Sequence, residues 1–315
     1  MTCRICGNAD GNRAFSAREM MFGTREEFAY FQCASCGCLQ IAEAPPDLSR
    51  HYPSDYTSFK PGLEHRFANR FRRFFRLRRY RFAVLNEGIL GGILHALAPK
   101  PKLRMLSLAP LRRDSRFLDV GCGTGELLYT LREIGMTRLL GVDAFVPTGR
   151  DIEYPNGLKI LKGTLADVTG EWDCVMMSCS LEHMPDQLGT LRAVAALLAP
   201  AGVCLVRIPL VSSWAWEHYG VNWGSLDAPR HLYLHSARSI ALAAERTGFR
   251  IERTIYESDD FQFRVSELYL RDVPLESPQA RRVFSRAQVR AWRRRAEALN
   301  REGTGDLATF YLRKK

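Results

Sequence analysis

The chain has 315 residues, of which 46% are hydrophobic and 25% charged, and its formal net charge is +11. This length accommodates one α/β domain of about 200 residues and one or two smaller modules. Residues 61–116 carry a net +11 whereas residues 117–263 carry −6, which excludes a nucleic-acid clamp that is basic throughout. No apolar stretch reaches the roughly 18 residues of a membrane span, and the first residues lack a signal-peptide pattern. We therefore expect a cytoplasmic protein that could still contact the inner membrane face peripherally.

Two Cys-x2-Cys pairs mark residues 1–60: Cys3 with Cys6 and Cys33 with Cys36, with 26 residues between the pairs. This spacing is typical of a zinc ribbon, in which four thiolates hold one tetrahedral Zn²⁺ ion. A closed four-thiolate site leaves no open coordination position, so the zinc would be structural. Two alternatives stay open, because Cys38 could replace Cys36 as a ligand and the thiols could also be free.

Residues 61–114 predict a basic, amphipathic helical connector. Hydrophobic residues recur at intervals of three, four and seven and so share one helix face: Phe67, Phe71, Phe74, Phe75, Phe82, Leu85 and Ile89. Eight arginines surround them: Arg66, Arg70, Arg72, Arg73, Arg76, Arg78, Arg79 and Arg81. The helix either docks the zinc ribbon onto the larger domain, or its arginine-flanked face meets phosphate in a lipid headgroup layer or an anionic ligand.

From Phe117 onward the pattern alternates between strands and helices, which predicts a parallel sheet covered on both faces. The predicted strands are Phe117–Val120, Leu139–Val142, Lys159–Lys162, Trp172–Ser178, Val203–Ile208, Arg250–Glu257 and Leu307–Arg313. The predicted helices are Glu126–Ile134, Thr190–Leu198 and Ser236–Thr247, and a mostly helical stretch ends near Glu302.

Acidic residues surround the glycine-rich run Gly121-x-Gly123-x-Gly125, which follows the first of these strands and opens a helix. Glycines let the backbone approach a nucleotide-like ligand closely. Asp119 and Glu126 beside the run would repel a pyrophosphate but attract a ligand with an ammonium and a sulfonium group. Asp143 ends the second strand, where a carboxylate can accept both hydroxyls of a ribose, and Asp167 follows the third.

The runs FLDVGCGTGELL, GVDA, GTLAD, WDCVMMSCSLEHMPD and LLAPAGVCLVRIP resemble the successive motifs of class I S-adenosylmethionine-dependent methyltransferases. The resemblance implies an α/β fold with a seven-stranded, doubly wound, Rossmann-like sheet whose antiparallel last strand lies between strands five and six. It places this domain at 115–315, with a helical insertion at about 261–302. The implied cofactor-binding residues are Asp119, Gly121, Cys122, Gly123, Gly125, Asp143, Ala144, Leu165, Asp167, Ser178, Ser180 and Glu182.

A four-cysteine zinc module ahead of such a domain is similar to bacterial sugar C-methyltransferases and to methyltransferases of surface-polysaccharide assembly. This similarity favours a small or glycan-linked acceptor, such as a nucleotide- or lipid-linked sugar. Two other functions stay open: an RNA methyltransferase that grips RNA with the zinc ribbon and the basic connector, and a non-catalytic scaffold that binds the cofactor.

Three residues are candidates for catalysis: His183, His231 and Tyr233. His183 follows the fourth strand, where an imidazole could deprotonate an acceptor near neutral pH or merely shape the pocket. The segment from Trp214 to Tyr233 carries three tryptophans, which predict either a stacking platform, with Arg230 and His231 binding a phosphate or carboxylate, or a hydrophobic lid.

Overall fold

The computed structural model describes residues 1–53, 63, 69–100, 103–146 and 148–315. They form two compact units that do not follow chain order. Unit 1 contains Met1–Tyr52, Leu181–Leu191 and Arg207–Phe310, and unit 2 contains Pro53–Ser180, Arg192–Val206 and Tyr311–Lys315. The domain boundaries predicted from the sequence stay predictions.

Twelve strands and nine helices are present in the described residues. The strands are β1 (Arg13–Arg18), β2 (Glu27–Gln32), β3 (Leu39–Ile41), β4 (Phe117–Val120), β5 (Leu139–Asp143), β6 (Ile152–Glu153), β7 (Lys159–Lys162), β8 (Trp172–Ser178), β9 (Leu198–Pro209), β10 (Tyr233–Leu234), β11 (Phe249–Tyr256) and β12 (Leu307–Lys314). The helices are α1 (Arg70–Leu85), α2 (Ile89–Leu97), α3 (Arg104–Ser107), α4 (Glu126–Glu133), α5 (Gln187–Leu197), α6 (Trp214–Tyr219), α7 (Ala237–Arg246), α8 (Phe261–Leu270) and α9 (Arg286–Glu302).

The main sheet confirms the predicted doubly wound architecture. Its strand order is β11-β12-β9-β8-β4-β5-β7-β6, so β12 lies between the strands predicted as five and six. The central strand β4 pairs in parallel with both β5 and β8, and β5 pairs in parallel with β7. All four β4 residues are buried, as expected for a strand covered on both faces. An eighth strand, the two-residue β6, adds an antiparallel edge that the sequence did not indicate.

A smaller antiparallel sheet in unit 1 has the order β1-β2-β3-β10. The first four residues of β2 alternate, with Phe28 and Tyr30 buried and Ala29 exposed between them, as in a half-buried strand, and Phe31 after them is buried as well. The last strand, β10, comes from the segment that contains Tyr233, which pairs with Gln40 of β3. The first cysteine pair precedes β1 and the second lies between β2 and β3. The sheet that contains these strands is completed by residues about 190 positions later in the chain.

The described residues of the basic connector form three helices in unit 2 rather than one, and α1 packs against both α2 and α3. The predicted face placed Ile89 on the same helix as Phe71, but α1 ends at Asn86, which adopts a left-handed conformation, and Ile89 begins α2. Gly91 allows the close approach, since a Cβ there would lie 2.4 Å from the Arg78 carbonyl oxygen. Arg66 and Phe67 lie outside the described residues. Among the helices described, none is both long and apolar enough to cross a membrane.

Candidate functional site

The glycine run in unit 2 forms the turn between β4 and α4. Gly121, Gly123 and Gly125 all have positive φ, at +74°, +56° and +79°, a region that side chains with a Cβ rarely adopt. A Cβ on Gly121 would lie 2.4 Å from the Ser180 Cβ. The Ser180 hydroxyl in turn donates to the Val120 carbonyl oxygen at 2.7 Å, which fixes the end of β4.

The Asp143 carboxylate holds this turn from the tip of β5. One oxygen accepts a hydrogen bond from the Gly123 N–H at 2.8 Å, and the other accepts from the Phe145 N–H at 2.8 Å. Each carboxylate oxygen has a second lone pair. The arrangement therefore leaves acceptor capacity for the two hydroxyls of a ribose while it fixes the loop.

Asp119 brings a second carboxyl group to the same edge of the sheet. Its side chain is buried, and burial, followed by the nearby negative charge of Asp143, raises its pKa to about 7. A cationic ligand nearby would stabilise the ionised form of such a buried carboxyl group. The residues present thus fit the ammonium and sulfonium charges of S-adenosylmethionine.

The other cofactor candidates follow neighbouring strand ends. Leu165–Asp167 form a 3-10 turn after β7, in which the Asp167 carboxylate accepts from the Thr164 N–H at 2.8 Å and so closes a capping box. Cys122 lies within the glycine run, Ala144 follows Asp143, and Ser178 ends β8. Because β4, β5, β7 and β8 are parallel neighbours, their carboxyl ends share one edge. Unit 2 collects every predicted cofactor residue there except Glu182, which belongs to unit 1.

The sulfur atoms of Cys3, Cys6, Cys33 and Cys36 form one cluster in unit 1, within 4.8 Å of one another. The Cys3–Cys36 and Cys6–Cys33 sulfur distances are 3.6 and 3.4 Å, close to the roughly 3.8 Å edge of a tetrahedron with Zn–S bonds of about 2.3 Å. Gln40 donates a side-chain N–H to the Cys3 sulfur at 2.9 Å, as a partner of a thiolate would. Cys38 is not part of this cluster.

A second cluster in unit 1 consists of Glu182, His183 and His231. The two imidazole ring centres lie 4.7 Å apart, and His231 Nε2 lies 3.9 Å from Glu182 Oε1. Burial raises the pKa of Glu182 to about 8, and burial together with the charge of His231 lowers the pKa of His183 to about 3. The pKa of His231 is also lowered by burial. Both imidazoles are therefore neutral near pH 7.

Tyr233 does not belong to this cluster. Its ring is buried in β10, and its hydroxyl donates to the Pro185 carbonyl oxygen at 2.9 Å. Tyr52, which the sequence analysis did not single out, has its hydroxyl 2.9 Å from His183 Nδ1. No sequence signal could have indicated Tyr52, because 131 positions separate it from His183.

The contacts of Arg230 do not match the interpretation of this residue as a phosphate ligand. The guanidinium is fully buried and bonds to Glu19 at 2.9 Å and to Asp227 at 2.6 Å. Burial would raise the pKa of Asp227, but the charge of Arg230 outweighs this and lowers it to about 2. Arg230 is thus neutralised inside unit 1 and presents no charge to a ligand.

Two of the three tryptophans in the tryptophan-rich segment pack in the interior of unit 1. Trp223 is fully buried and donates its indole N–H to Asp306 at 2.9 Å, and Trp216 is also buried. Trp214 stacks on His218 with ring centres 4.4 Å apart. The segment therefore matches the hydrophobic alternative better than a stacking platform for a ligand.

Comparison with known proteins identifies the class. Residues 90–254, a little more than half of the chain, match the family described as "Methyltransferase domain". The chain belongs to this family, and the match confirms the class I methyltransferase domain that the sequence motifs predicted.

Two curated relatives illustrate the relationship. A ubiquinone biosynthesis O-methyltransferase of Xanthomonas axonopodis is 32% identical over 117 residues, which cover 35% of this chain and 48% of that protein. A trans-aconitate 2-methyltransferase of Deinococcus radiodurans is 28% identical over 113 residues, covering 35% and 43%. The chain therefore spans about half the length of the curated relatives it matches.

Solved structures with a similar fold include an S-adenosylmethionine-dependent methyltransferase from Mesorhizobium loti. It is 18% identical with a TM-score of 0.44, and the match covers 69% of this chain and all of that one. A mycolic acid cyclopropane synthase is 17% identical with a TM-score of 0.46, covering 81% and 99%.

The buried carboxyl group of Asp119 gives a pH-dependent prediction for the ligand-free protein. Its pKa is higher in the folded than in the unfolded chain, so its ionisation destabilises the fold as the pH rises from about 4 and does so fully above pH 7. We expect Asp119→Asn to be stabilised relative to the wild type by up to about 4 kcal/mol at pH 8 but little at pH 4. Denaturant unfolding at both pH values measures this difference, and parallel stability curves would contradict it.

Proposed function

We propose that the protein transfers the methyl group of S-adenosylmethionine to a lipid-linked acceptor, such as a lipid-linked sugar. The observation that carries the methyl donor is the pair of carboxyl groups, Asp119 and Asp143, on either side of a glycine turn at the carboxyl edge of a parallel sheet. This arrangement supports a cationic nucleoside ligand and disfavours a pyrophosphate.

The donor supplies an electrophilic methyl group whose carbon–sulfur bond breaks as the acceptor atom attacks. The chain contributes the other parts of the reaction. Asp143 orients the ribose, and Asp119 faces the ammonium group. Among the catalytic candidates, His183 and His231 are each held at Nδ1 by a backbone carbonyl oxygen and stay candidates for the general base. Tyr233 would have a positioning role, because its hydroxyl donates to the Pro185 carbonyl oxygen.

The lipid-linked class is supported by the surface of α1 and α2. A row of apolar side chains on α2, Ile89, Ile93 and Leu97, is 88%, 55% and 79% exposed, and Phe71 on α1 is 74% exposed. A groove of about 330 Å³ between these helices is lined by Phe71, Phe75, Leu94 and Leu97 together with Arg72, Arg76 and Arg79. Apolar side chains flanked by arginines complement a bilayer that contains anionic lipids.

The four-cysteine cluster is proposed as a structural zinc site. Its sulfur spacing supports a tetrahedral ion, and four protein ligands leave no position for a substrate. The ion would join the Cys3–Cys6 turn to the Cys33–Cys36 turn at the end of β2.

Binding of the methyl donor depends on Asp143 in this proposal. We expect Asp143→Ala to weaken S-adenosylmethionine binding by a few kcal/mol, because it removes both ribose contacts and the anchor of the Gly123 N–H. Asp143→Asn keeps one acceptor oxygen and should lose less. Titration calorimetry measures both affinities. Asp151→Ala, which removes an exposed acid, is the control. An unchanged affinity in Asp143→Ala would contradict the role of Asp143 in binding the ribose.

Removal of one zinc ligand should be visible in metal content. We expect Cys33→Ser to lower bound zinc well below one ion per chain and to lower the melting temperature, because metal binding contributes directly to folding. Cys204→Ser changes a buried thiol outside the cluster and serves as the control. Zinc-free wild-type protein with reduced thiols and an unchanged melting temperature would contradict the site.

Vesicle binding tests the lipid-linked class. We expect Phe71→Ser to weaken binding to vesicles containing phosphatidylglycerol about tenfold, since a buried phenylalanine contributes roughly 1.5–3 kcal/mol. Arg72→Ala should weaken it less, and binding should fall with added salt. Phe261→Ser alters an exposed aromatic on α8 and is the control. Equal co-sedimentation of the wild type and Phe71→Ser would argue against a bilayer contact at this surface.

A further inference from the structure

The carboxylate of Glu182 is the most unusual polar group in unit 1. Its side chain is 1% exposed, and within the part of the chain that the structure describes neither carboxylate oxygen has a hydrogen-bond partner. Leaving a buried carboxyl group unpaired costs several kcal/mol unless something else satisfies it. The backbone fixes its position, since the Leu232 N–H donates to the Glu182 carbonyl oxygen at 2.8 Å.

Two imidazoles flank this carboxylate with their tautomers set by the backbone. His183 Nδ1 lies 2.9 Å from the Arg230 carbonyl oxygen, and His231 Nδ1 lies 2.8 Å from the Ser225 carbonyl oxygen. A carbonyl oxygen can only accept, so each Nδ1 carries the proton and each Nε2 keeps its lone pair. The Tyr52 hydroxyl, which also lies 2.9 Å from His183 Nδ1, then accepts from the same N–H. A histidine that donates Nδ1–H to a carbonyl and offers Nε2 is the usual arrangement of a metal ligand.

We propose that Glu182, His183 and His231 bind a divalent transition-metal ion, most readily Zn²⁺. One ligand atom from each residue lies within 4.8 Å of the others, and the His231 Nε2–Glu182 Oε1 distance is 3.9 Å. Ligands about 2.1 Å from one ion are roughly 3.0–3.5 Å apart, so the site needs only small side-chain rotations to close.

The donor set indicates which ion binds. Two imidazoles and one carboxylate suit zinc and other first-row transition metals, whereas magnesium and calcium prefer oxygen ligands. Three protein ligands also leave at least one coordination position open, unlike the four-cysteine cluster.

The open position gives the site a chemical role that rests on the proposed function. A hydroxyl oxygen of the acceptor would bind the ion, which lowers the pKa of the hydroxyl and releases its proton to solvent. The site therefore favours an acceptor that carries a hydroxyl group.

Metal binding can be measured directly on the full chain with its four-cysteine site filled with zinc. Titration with Co²⁺ should show one further ion per chain, with visible absorption that lacks thiolate charge-transfer bands. Glu182→Gln and His231→Gln should each weaken this binding at least tenfold. Glu297→Gln, an exposed residue on α9, should leave it unchanged. Added Co²⁺ should also raise the melting temperature of the wild type but not that of Glu182→Gln, which separates loss of a ligand from loss of the fold.

Two results would overturn the proposal: absence of a further ion in the wild type, or equal Co²⁺ affinity in the wild type and both variants. Calorimetric binding of S-adenosylmethionine, measured in the same preparation, keeps the two proposals apart. Metal binding without binding of the methyl donor would support the metal site and overturn the proposed function. Binding of the donor without a second ion would support the methyl donor of the proposed function and overturn the metal site.

Discussion

The buried guanidinium of Arg230 is the constraint on which unit 1 depends. A fully buried arginine must be neutralised and hydrogen-bonded, or it destabilises the fold by several kcal/mol. Arg230 meets this requirement with Asp227 three residues away, with Glu19 from the N-terminal segment, and with the His51 carbonyl oxygen at 3.2 Å. Glu19 in turn accepts hydrogen bonds from the N–H groups of Phe22, Gly23 and Thr24. One charge thus joins segments that are about 210 positions apart in the chain.

The same network positions the second cluster. The Arg230 carbonyl oxygen orients His183, and the next residue is His231, whose carbonyl oxygen accepts from the Tyr30 hydroxyl at 2.9 Å. The two imidazoles therefore sit on a backbone that is held rigidly by ion pairs and by the small sheet. Rigid placement matters for both proposed roles, because neither a base nor a metal ligand works when its lone pair points in a variable direction.

Unit 2 contains a different arrangement, in which acidic groups lie around a glycine loop at the edge of a sheet. The loop after β4 relies on glycines because its backbone has positive φ and Ser180 lies against Gly121. Asp143 stabilises this loop through the Gly123 N–H. Burial, followed by the negative charge of Asp143, raises the pKa of Asp119. The arrangement of Asp119 and Asp143 that shapes the loop is thus the same one that we propose binds the cationic ligand.

The sequence by itself determined the elements whose signals are local. Strands β4, β7 and β8 have the bounds that the sequence predicted, the glycine run lies at the turn between β4 and α4, and the Cys-x2-Cys pairs form one cluster. Periodicity also predicted the apolar face of α1 but extended it too far, because the left-handed turn at Asn86 interrupts the repeat.

Only the tertiary structure decided how distant polar groups are paired. Arg230 looked like a ligand for phosphate until Glu19 and Asp227 were found to neutralise it. Tyr52 lies beside His183, and Glu182 proved to be a buried carboxyl group without a hydrogen-bond partner among the described residues. The physical reason is that backbone conformation depends mainly on near neighbours, whereas the charge and burial of a side chain depend on whichever segments the fold brings against it.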